Sequence, residues 1–247
     1  MTDLLPQTRS FEGRVAVVTG GASGIGLAVT VALCRAGVRV HAVDMRPDVM
    51  AQRLADWGVV THGLDVTDAA AVKTTFDEIG REGAVDILVC AAGLNIPQRR
   101  FGELTAASWE RVVNVNLTGV FNCMQSLVPA LRESHGHLVV IASVSSLWPD
   151  ASGPAYQASK AGVLGLVRAT AVEEKGSGIR FTSVLPGMVS TELLDKRPVP
   201  PTAEERALCI QPEDVAAAVM SAIALPDRTC LAEMTLVPTA LQAVGRT

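Results

Sequence analysis

Tyr156 and Lys160, four residues apart, form the pair in this 247-residue chain that most suggests chemistry. On a helix that spacing stacks both side chains on one face. A free phenol ionises near about 10 and is a poor base at neutral pH; a neighbouring ammonium lowers that value by favouring the phenolate. Such a pair can act as a general acid/base on an alcohol or carbonyl. The same spacing also arises by chance on half-exposed helices, so the surroundings have to discriminate. Ser143 stands 13 residues upstream at the end of an apolar run, and Asn116 lies in an apolar helical stretch. Tyr156 is also the only tyrosine in the chain.

A second constellation is glycine-rich. Thr19-Gly20-Gly21-Ala22-Ser23-Gly24-Ile25-Gly26 follows a β-branched run and opens a helical pattern. Glycines at 20, 24 and 26 let the backbone turn tightly and approach a pyrophosphate, which the helix N-terminal amides would face. A tight turn without ligand is the plain alternative. Asp44, 18 residues beyond Gly26, ends the second apolar run. It would accept hydrogen bonds from adenosine ribose hydroxyls and repel a 2′-phosphate, favouring NAD over NADP. Arg46 could hold such a phosphate. Asp44 carries more weight, because a strand end is fixed and Arg46 is expected in solvent.

These residues need a scaffold, and the hydrophobic pattern supplies one. Short apolar runs at 15–18, 38–43, 59–64, 85–90, 137–142, 179–185 and 234–237 alternate with longer stretches of helical period. The helical stretches cover 25–36, 69–80, 106–132, 154–174 and 212–225. Thr67-Asp68 and Gln211-Pro212-Glu213-Asp214 read as helix starts, and Gly37 and Gly176 as stops. Continuously apolar strands separated by helices indicate an α/β fold: a Rossmann-like, doubly wound parallel sheet of about seven strands with helices on both faces. With no linker or repeat, the expectation is one domain over 1–247. Residues 188–208, containing Pro198, Pro200 and Pro201, are the one long irregular stretch and a candidate substrate lid.

Composition excludes several classes. A net charge of −4 gives no general attraction to nucleic acid or anionic membranes, and 4% aromatics argues against base-stacking platforms. No segment reaches the roughly 18 consecutive apolar residues of a membrane span. Residues 1–14 lack the apolar core of a secretory signal and read as a surface lead-in. Five scattered cysteines without ligand-like spacing are expected as buried, reduced thiols, and the four histidines as solvated loop residues. No metal site is expected, and a cytoplasmic setting fits.

Taken together, the motifs resemble the short-chain dehydrogenase/reductase family, compact single-domain type, from about residue 13 to 237. Residues 19–26 match its TGxxxGIG cofactor loop, and Asp65-Val66 its adenine-contact motif. Asn114-Val115-Asn116-Leu117 carries its helix asparagine, Ser143, Tyr156 and Lys160 its serine, tyrosine and lysine, and Pro186-Gly187 its strand-end pair. The resemblance implies that Tyr156 exchanges a proton with the substrate hydroxyl during hydride transfer and that Ser143 stabilises charge on the substrate oxygen. Lys160 would lower the Tyr156 pKa and bind the nicotinamide ribose, and Asn116 would hold a relay water. Gly20, Ser23, Gly24, Ile25, Gly26, Asp44, Asp65, Val66, Ala92, Gly93, Pro186, Gly187, Val189 and Thr191 would join Tyr156 and Lys160 around NAD. It also implies a homotetramer, or a homodimer, built on the two long helices. Three positions depart from the family pattern: Cys90-Ala91 replaces Asn-Asn, Thr182 an asparagine, and Val237-Pro238-Thr239 a glycine-rich ending.

Substrate walls are expected from 94–101, 144–152 and the lid. They are mostly apolar, which suits a modest secondary alcohol or ketone. Arg99 and Arg100 could hold a substrate carboxylate, but two solvated loop arginines are the favoured reading. Trp148 reads equally as pocket wall or loop anchor. The leading reading is therefore NAD-dependent alcohol/ketone interconversion. An NADPH-dependent reductase of 3-oxoacyl type and a non-catalytic dinucleotide sensor are the alternatives.

Overall fold

The computed structural model describes residues 10–241; the first nine residues of the expected lead-in lie outside it. Strands β1 (Val15–Thr19), β2 (Arg39–Asp44), β3 (Val60–Gly63), β4 (Ile87–Cys90), β5 (His137–Ile141), β6 (Arg180–Pro186) and β7 (Glu233–Leu236) make one sheet in the order 3-2-1-4-5-6-7. Every pairing is parallel. Helices α1 (Gly24–Arg35), α2 (Pro47–Arg53), α3 (Ala69–Glu82), α4 (Ala106–Val113), α5 (Gly119–Ser134), α6 (Pro154–Glu173), α7 (Ala203–Ala207) and α8 (Pro212–Ala224) fill the connections.

Alternation along the strands divides the core in two. Val17, Leu88, Leu138 and Val140 face Phe76, Leu127, Leu131 and Val163 of α3, α5 and α6. Ala16, Ile87, Val89 and Val139 face Val29, Leu33, Val219 and Ile223 of α1 and α8. With both faces covered, β4, β5 and β6 are buried at every residue, which is why their sequence reads as unbroken apolar runs. Strand order reverses between β1 and β4, with successive strands added on opposite sides, so their carboxyl ends open a crevice there.

Local chemistry sets the helix ends. Asp68 caps α3 by accepting from the amides of Ala70 and Ala71, and Gln211 with Asp214 forms a capping box before α8. Three expectations change. The 106–132 stretch is not one helix: a π-helical segment, Asn114–Thr118, separates α4 from α5. The 188–208 stretch is partly ordered by a 3-10 turn at Glu192–Lys196 and by α7, whose capping box pairs Thr202 with Glu205. Helix α2 was not apparent from the pattern, because Met50 is its only fully buried residue and one apolar position shows no period.

The histidine and cysteine expectations also need correction. His41 and His137 are fully buried within strands. His137 Nε2 lies 2.7 Å from the Thr182 hydroxyl, and His41 stacks on His62. A hydroxyl or ring partner takes up one imidazole nitrogen inside a sheet, and periodicity carries no sign of that. Cys90, Cys123 and Cys209 are buried, but Cys34 is half-buried and Cys230 exposed. Among the described residues all five are free, no His/Cys/Asp/Glu group could hold a metal, and no helix is long and apolar enough to cross a membrane.

Candidate active site

The crevice floor is built from the ends of β4 and β5. Ser143 follows β5 immediately, and its side chain caps the 3-10 turn Val144–Ser146 by accepting from the Ser145 amide at 3.2 Å. Helix α6 starts at Pro154 after Gly153, and it carries Tyr156 and Lys160 one turn apart. The Tyr156 ring packs against the cluster of Ile96, Val112 and Ala155, and the Ser143 hydroxyl is near enough to draw its phenol pKa down. Ser143, Tyr156 and Lys160 thus converge as the spacing suggested.

The electrostatics differ from the expectation. Lys160 Nζ donates to the Ile141 carbonyl at 2.8 Å and lies 5.8 Å from the Tyr156 ring centroid. Burial lowers the Lys160 pKa to about 8. Burial raises the Tyr156 pKa to about 12, with Asp150 adding to the rise. Ser143, by hydrogen bond, and the Arg99 cation pull it down. So burial holds the phenol protonated, and Arg99 joins the cations that draw its pKa back down. The reason is desolvation, which disfavours both the phenolate and the ammonium and exceeds their mutual attraction here.

Asn116 occupies the π-helical segment, where the extra residue turns its side chain into the interior. It is fully buried; Oδ1 accepts from the Leu94 amide at 2.8 Å, and Nδ2 reaches the Leu94 carbonyl at 3.0 Å and Ser159 Oγ at 3.1 Å. Ser159 Oγ in turn donates to the Tyr156 carbonyl at 2.8 Å. Asn116 therefore ties the loop after β4 to α6. Gly93 sits between these groups: a Cβ there would stand 3.4 Å from Asn116 Oδ1 and 3.6 Å from Lys160 Nζ.

The glycine loop closes the other side of the crevice. A Cβ on Gly26 would lie 2.2 Å from the Gly20 carbonyl oxygen, and one on Gly20 would lie 2.9 Å from the Ala92 nitrogen. Only glycine permits α1 to sit that close to the loop. Thr19 Oγ1 accepts from the amides of Ala91 and Ala92, each at 3.2 Å, joining β1 to β4. Asp44 Oδ2 accepts from the Ala22 amide at 3.1 Å, so its carboxylate points into the loop that holds Ser23, Gly24 and Ile25. Gly187 follows β6 with its amide on the Leu236 carbonyl, and beyond it Val189 bridges to Ile210 ahead of Thr191. Thr191 Cγ2 comes within 3.1 Å of a Cβ built on Gly24. Asp65 turns its carboxylate to the Thr67 amide and hydroxyl, and Val66 packs against Gly119.

Along most of the chain these motifs stand together on one doubly wound sheet, and a family model for short chain dehydrogenase matches residues 14–199. The chain belongs to the short chain dehydrogenase family. It is 36% identical over 192 residues to 2-dehydro-3-deoxy-L-rhamnonate dehydrogenase (NAD(+)) of Sphingomonas sp., covering 76% of this chain and 77% of that one. It is 32% identical over 224 residues to the 3-oxoacyl-[acyl-carrier-protein] reductase FabG of Thermotoga maritima, covering 85% and 90%. An alcohol dehydrogenase from Thermococcus sibiricus, solved with 5-hydroxy-NADP, superposes with a TM-score of 0.82 at 28% identity, over 93% of this chain and 98% of that one. The protein is thus a short-chain oxidoreductase with a fold that binds a nicotinamide dinucleotide.

Several residues of this dehydrogenase's site were not visible in the sequence. Ser143 Oγ donates to Ser145 Oγ at 3.1 Å, and Ser145 Oγ donates to Asp150. Asp150 also accepts from the Ser152 amide at 2.8 Å. Across the glycine loop, Arg46 is exposed as expected but tethered, reaching Ser23 Oγ at 2.7 Å and Glu192 at 3.1 Å. Arg53 joins the same carboxylate at 3.0 Å and the Ala22 carbonyl at 2.7 Å. Arg100 is exposed as expected, but Arg99 is buried. Trp148 is half-buried, and its amide donates to the Val144 carbonyl at 3.0 Å. Pairings over such sequence distances have no local signature; only the Ser143–Ser145 spacing hints at one.

Proposed function

We propose that this dehydrogenase interconverts a secondary alcohol and a ketone, with NAD(H) preferred and Tyr156 as general acid/base. The observation that carries the reading is the partly buried Tyr156 beside the Ser143 hydroxyl, with Lys160 one turn further along α6. The cofactor cradle fits a dinucleotide: Gly20 and Gly26 leave no room for a Cβ, and the Asp44 carboxylate stands at the strand end beside the loop. Gly20, Ser23, Gly24, Ile25 and Gly26 would face the pyrophosphate and Asp44 the adenosine ribose. Asp65 and Val66 would flank the adenine, with Ala92, Gly93, Lys160, Pro186, Gly187, Val189 and Thr191 along the nicotinamide half. The bound nicotinamide supplies the redox half of the chemistry, exchanging hydride, two electrons with one hydrogen, with the carbinol carbon.

What remains is one proton and the charge on the substrate oxygen. In the reducing direction a phenol kept protonated by burial is the donor to the nascent alkoxide, and the Ser143 hydroxyl stabilises that oxygen. In the oxidising direction Tyr156 must first release its proton, which Lys160 favours while it stays charged, below about 8. Asn116 holds the Leu94 backbone and α6 in register for this.

Asp44 favours NAD because a 2′-phosphate would meet its carboxylate. Arg46 and Arg53 are spanned by Glu192, which leaves them less available to such a phosphate. The relatives' names point both ways: the Sphingomonas enzyme carries NAD(+) in its name and the Thermococcus enzyme was solved with an NADP derivative. The reading is tested with a panel of secondary alcohols and ketones followed by nicotinamide absorbance with each cofactor. Turnover with NAD(H) that disappears in Tyr156→Phe is expected; undiminished turnover in that variant removes Tyr156 from the mechanism. Asp44→Ala should relax the cofactor preference. Sizing in solution tests the proposed homotetramer.

A further inference from the structure

Arg99 is the buried cation in this site that the proposed reaction leaves without a task. It is 8% exposed, on the loop after β4 that also carries Leu94 and Ile96. Its Nε donates to the Ile96 carbonyl at 2.8 Å and one Nη to the Lys196 carbonyl at 2.9 Å. Both partners are neutral backbone oxygens. Among the described residues its other Nη makes no hydrogen bond, and no carboxylate lies within ion-pair distance of the guanidinium. The nearby Asp150 is already engaged by Ser145 and the Ser152 amide.

That situation is unusual for an arginine. A guanidinium stays charged at any accessible pH, and a buried charge without a counter-ion is strongly unfavourable. Arg197, half-buried and also without an ion-pair partner among the described residues, adds its repulsion. It lines a cavity of about 180 Å³ with Met188, Val199 and Leu208. The Arg99 position is nevertheless tightly specified. Its backbone presses on Gly153, where a Cβ would come within 2.5 Å of the Arg99 carbonyl oxygen, and Gly153 begins the turn into Tyr156. Arg99 is thus fixed from three sides: its guanidinium by its own loop and by the lid through Lys196, and its backbone by the start of α6. Its charge acts directly on the Tyr156 phenol.

We propose that Arg99 is the substrate anchor and that the substrate is a secondary hydroxy acid or the corresponding oxo acid, whose carboxylate pairs with the free edge of the Arg99 guanidinium while its hydroxyl or carbonyl oxygen meets Tyr156 and Ser143. The proposal rests on the alcohol/ketone reading above and adds the substrate class to it. Carboxylate is favoured over phosphate because one free guanidinium edge beside apolar walls matches a planar, singly charged group; a phosphate calls for several donors. The carboxylate takes no part in bond making. It supplies the missing counter-charge and sets which carbon is presented to the phenol. Closing the lid through Lys196 then shields the pair from water.

The test pairs secondary hydroxy acids, with the hydroxyl two to five carbons from the carboxylate, with their methyl esters and with matching phosphate monoesters. Each is assayed on the full chain with NAD and NADP, and wild type is compared with R99Q, R99K and R100Q. Wild type should prefer one or more acids to their esters by at least about 30-fold in kcat/KM, since breaking a desolvated charge pair has an effect of that order. R99Q should erase the preference, R99K recover part of it, and R100Q leave it intact. Equal loss on acid and ester in both Arg99 variants would mean a purely structural arginine, and a preference for esters or phosphate monoesters would also overturn the proposal. Calorimetric binding of the same acids to the cofactor-loaded protein is measured in parallel. If nothing on the panel is turned over but the acids bind wild type and not R99Q, the reaction assignment has failed and the anchor stands. If turnover occurs and acids bind both proteins equally, the anchor has failed and the reaction stands.

Discussion

The two walls of the crevice are held together by different physics. On the α6 side, Asn116, Ser159 and Lys160 are nearly or completely buried; Asn116 and Lys160 are fixed by hydrogen bonds to the backbone of other elements, and Ser159 accepts from Asn116. On the glycine-loop side, the lid residue Glu192 spans Arg46 and Arg53 through ion pairs whose side chains are 40–48% exposed. Buried hydrogen bonds that would go unmade if broken lock a geometry; exposed ion pairs contribute little and yield readily. One wall is therefore suited to hold reacting groups still, and the other to part when a dinucleotide enters or leaves.

This contrast is sharpest in the reaction itself. Tyr156→Phe should lower kcat by roughly 10²–10⁴-fold, measured by nicotinamide absorbance, with cofactor affinity unchanged. Ser143→Ala follows with a loss of about 10²–10³-fold, because the oxygen it stabilises then has only the phenol. On stability, Asn116→Ala should destabilise by about 1–3 kcal/mol in denaturant unfolding, since it strands the Leu94 amide and carbonyl in the interior. Glu192→Gln should change stability by less than about 1 kcal/mol, yet speed cofactor release and make it less salt-dependent. A stability loss for Glu192→Gln as large as that for Asn116→Ala would break the comparison.

A smaller effect reads the electrostatics directly. The single tyrosine should ionise at about 12 in the cofactor-free protein. Because that lies above the ordinary phenol value of about 10, any stability linked to the group is complete below about 10 and is lost as pH rises towards the folded value. Lys160 works the other way: its folded value near 8 lies below the ordinary one, so its burial penalises the fold below about 8 and the penalty fades at higher pH. Tyrosinate absorbance against pH, in wild type and in Arg99→Gln, checks both the value and the pull of Arg99 on it. The Arg99 variant should ionise still higher.

Much of the fold was legible because a parallel sheet covered on both faces leaves a one-dimensional trace. Each strand appeared as an apolar run, with boundaries off by at most a few residues, as at 85–90 against Ile87–Cys90. The glycine loop and the Tyr156–Lys160 pair were legible for the same reason: their geometry is local. The π-helical segment was not, because a run with helical period looks the same with one residue inserted. Nor was the burial of Arg99 and His137, since a charged or polar type reads as surface until its partners are known.

The sequence by itself determined the architecture, the family and the candidate reacting groups, because backbone propensity, strand burial and i,i+4 spacing act over short stretches. Tertiary structure alone decided the charge state of those groups and their company. The Tyr156 phenol is pushed up, not down, since desolvation depends on everything packed around it. Arg99 comes to rest against Gly153 and the lid because segments far apart in the chain meet at the mouth of the crevice, and such long-range meetings leave no mark on local spacing.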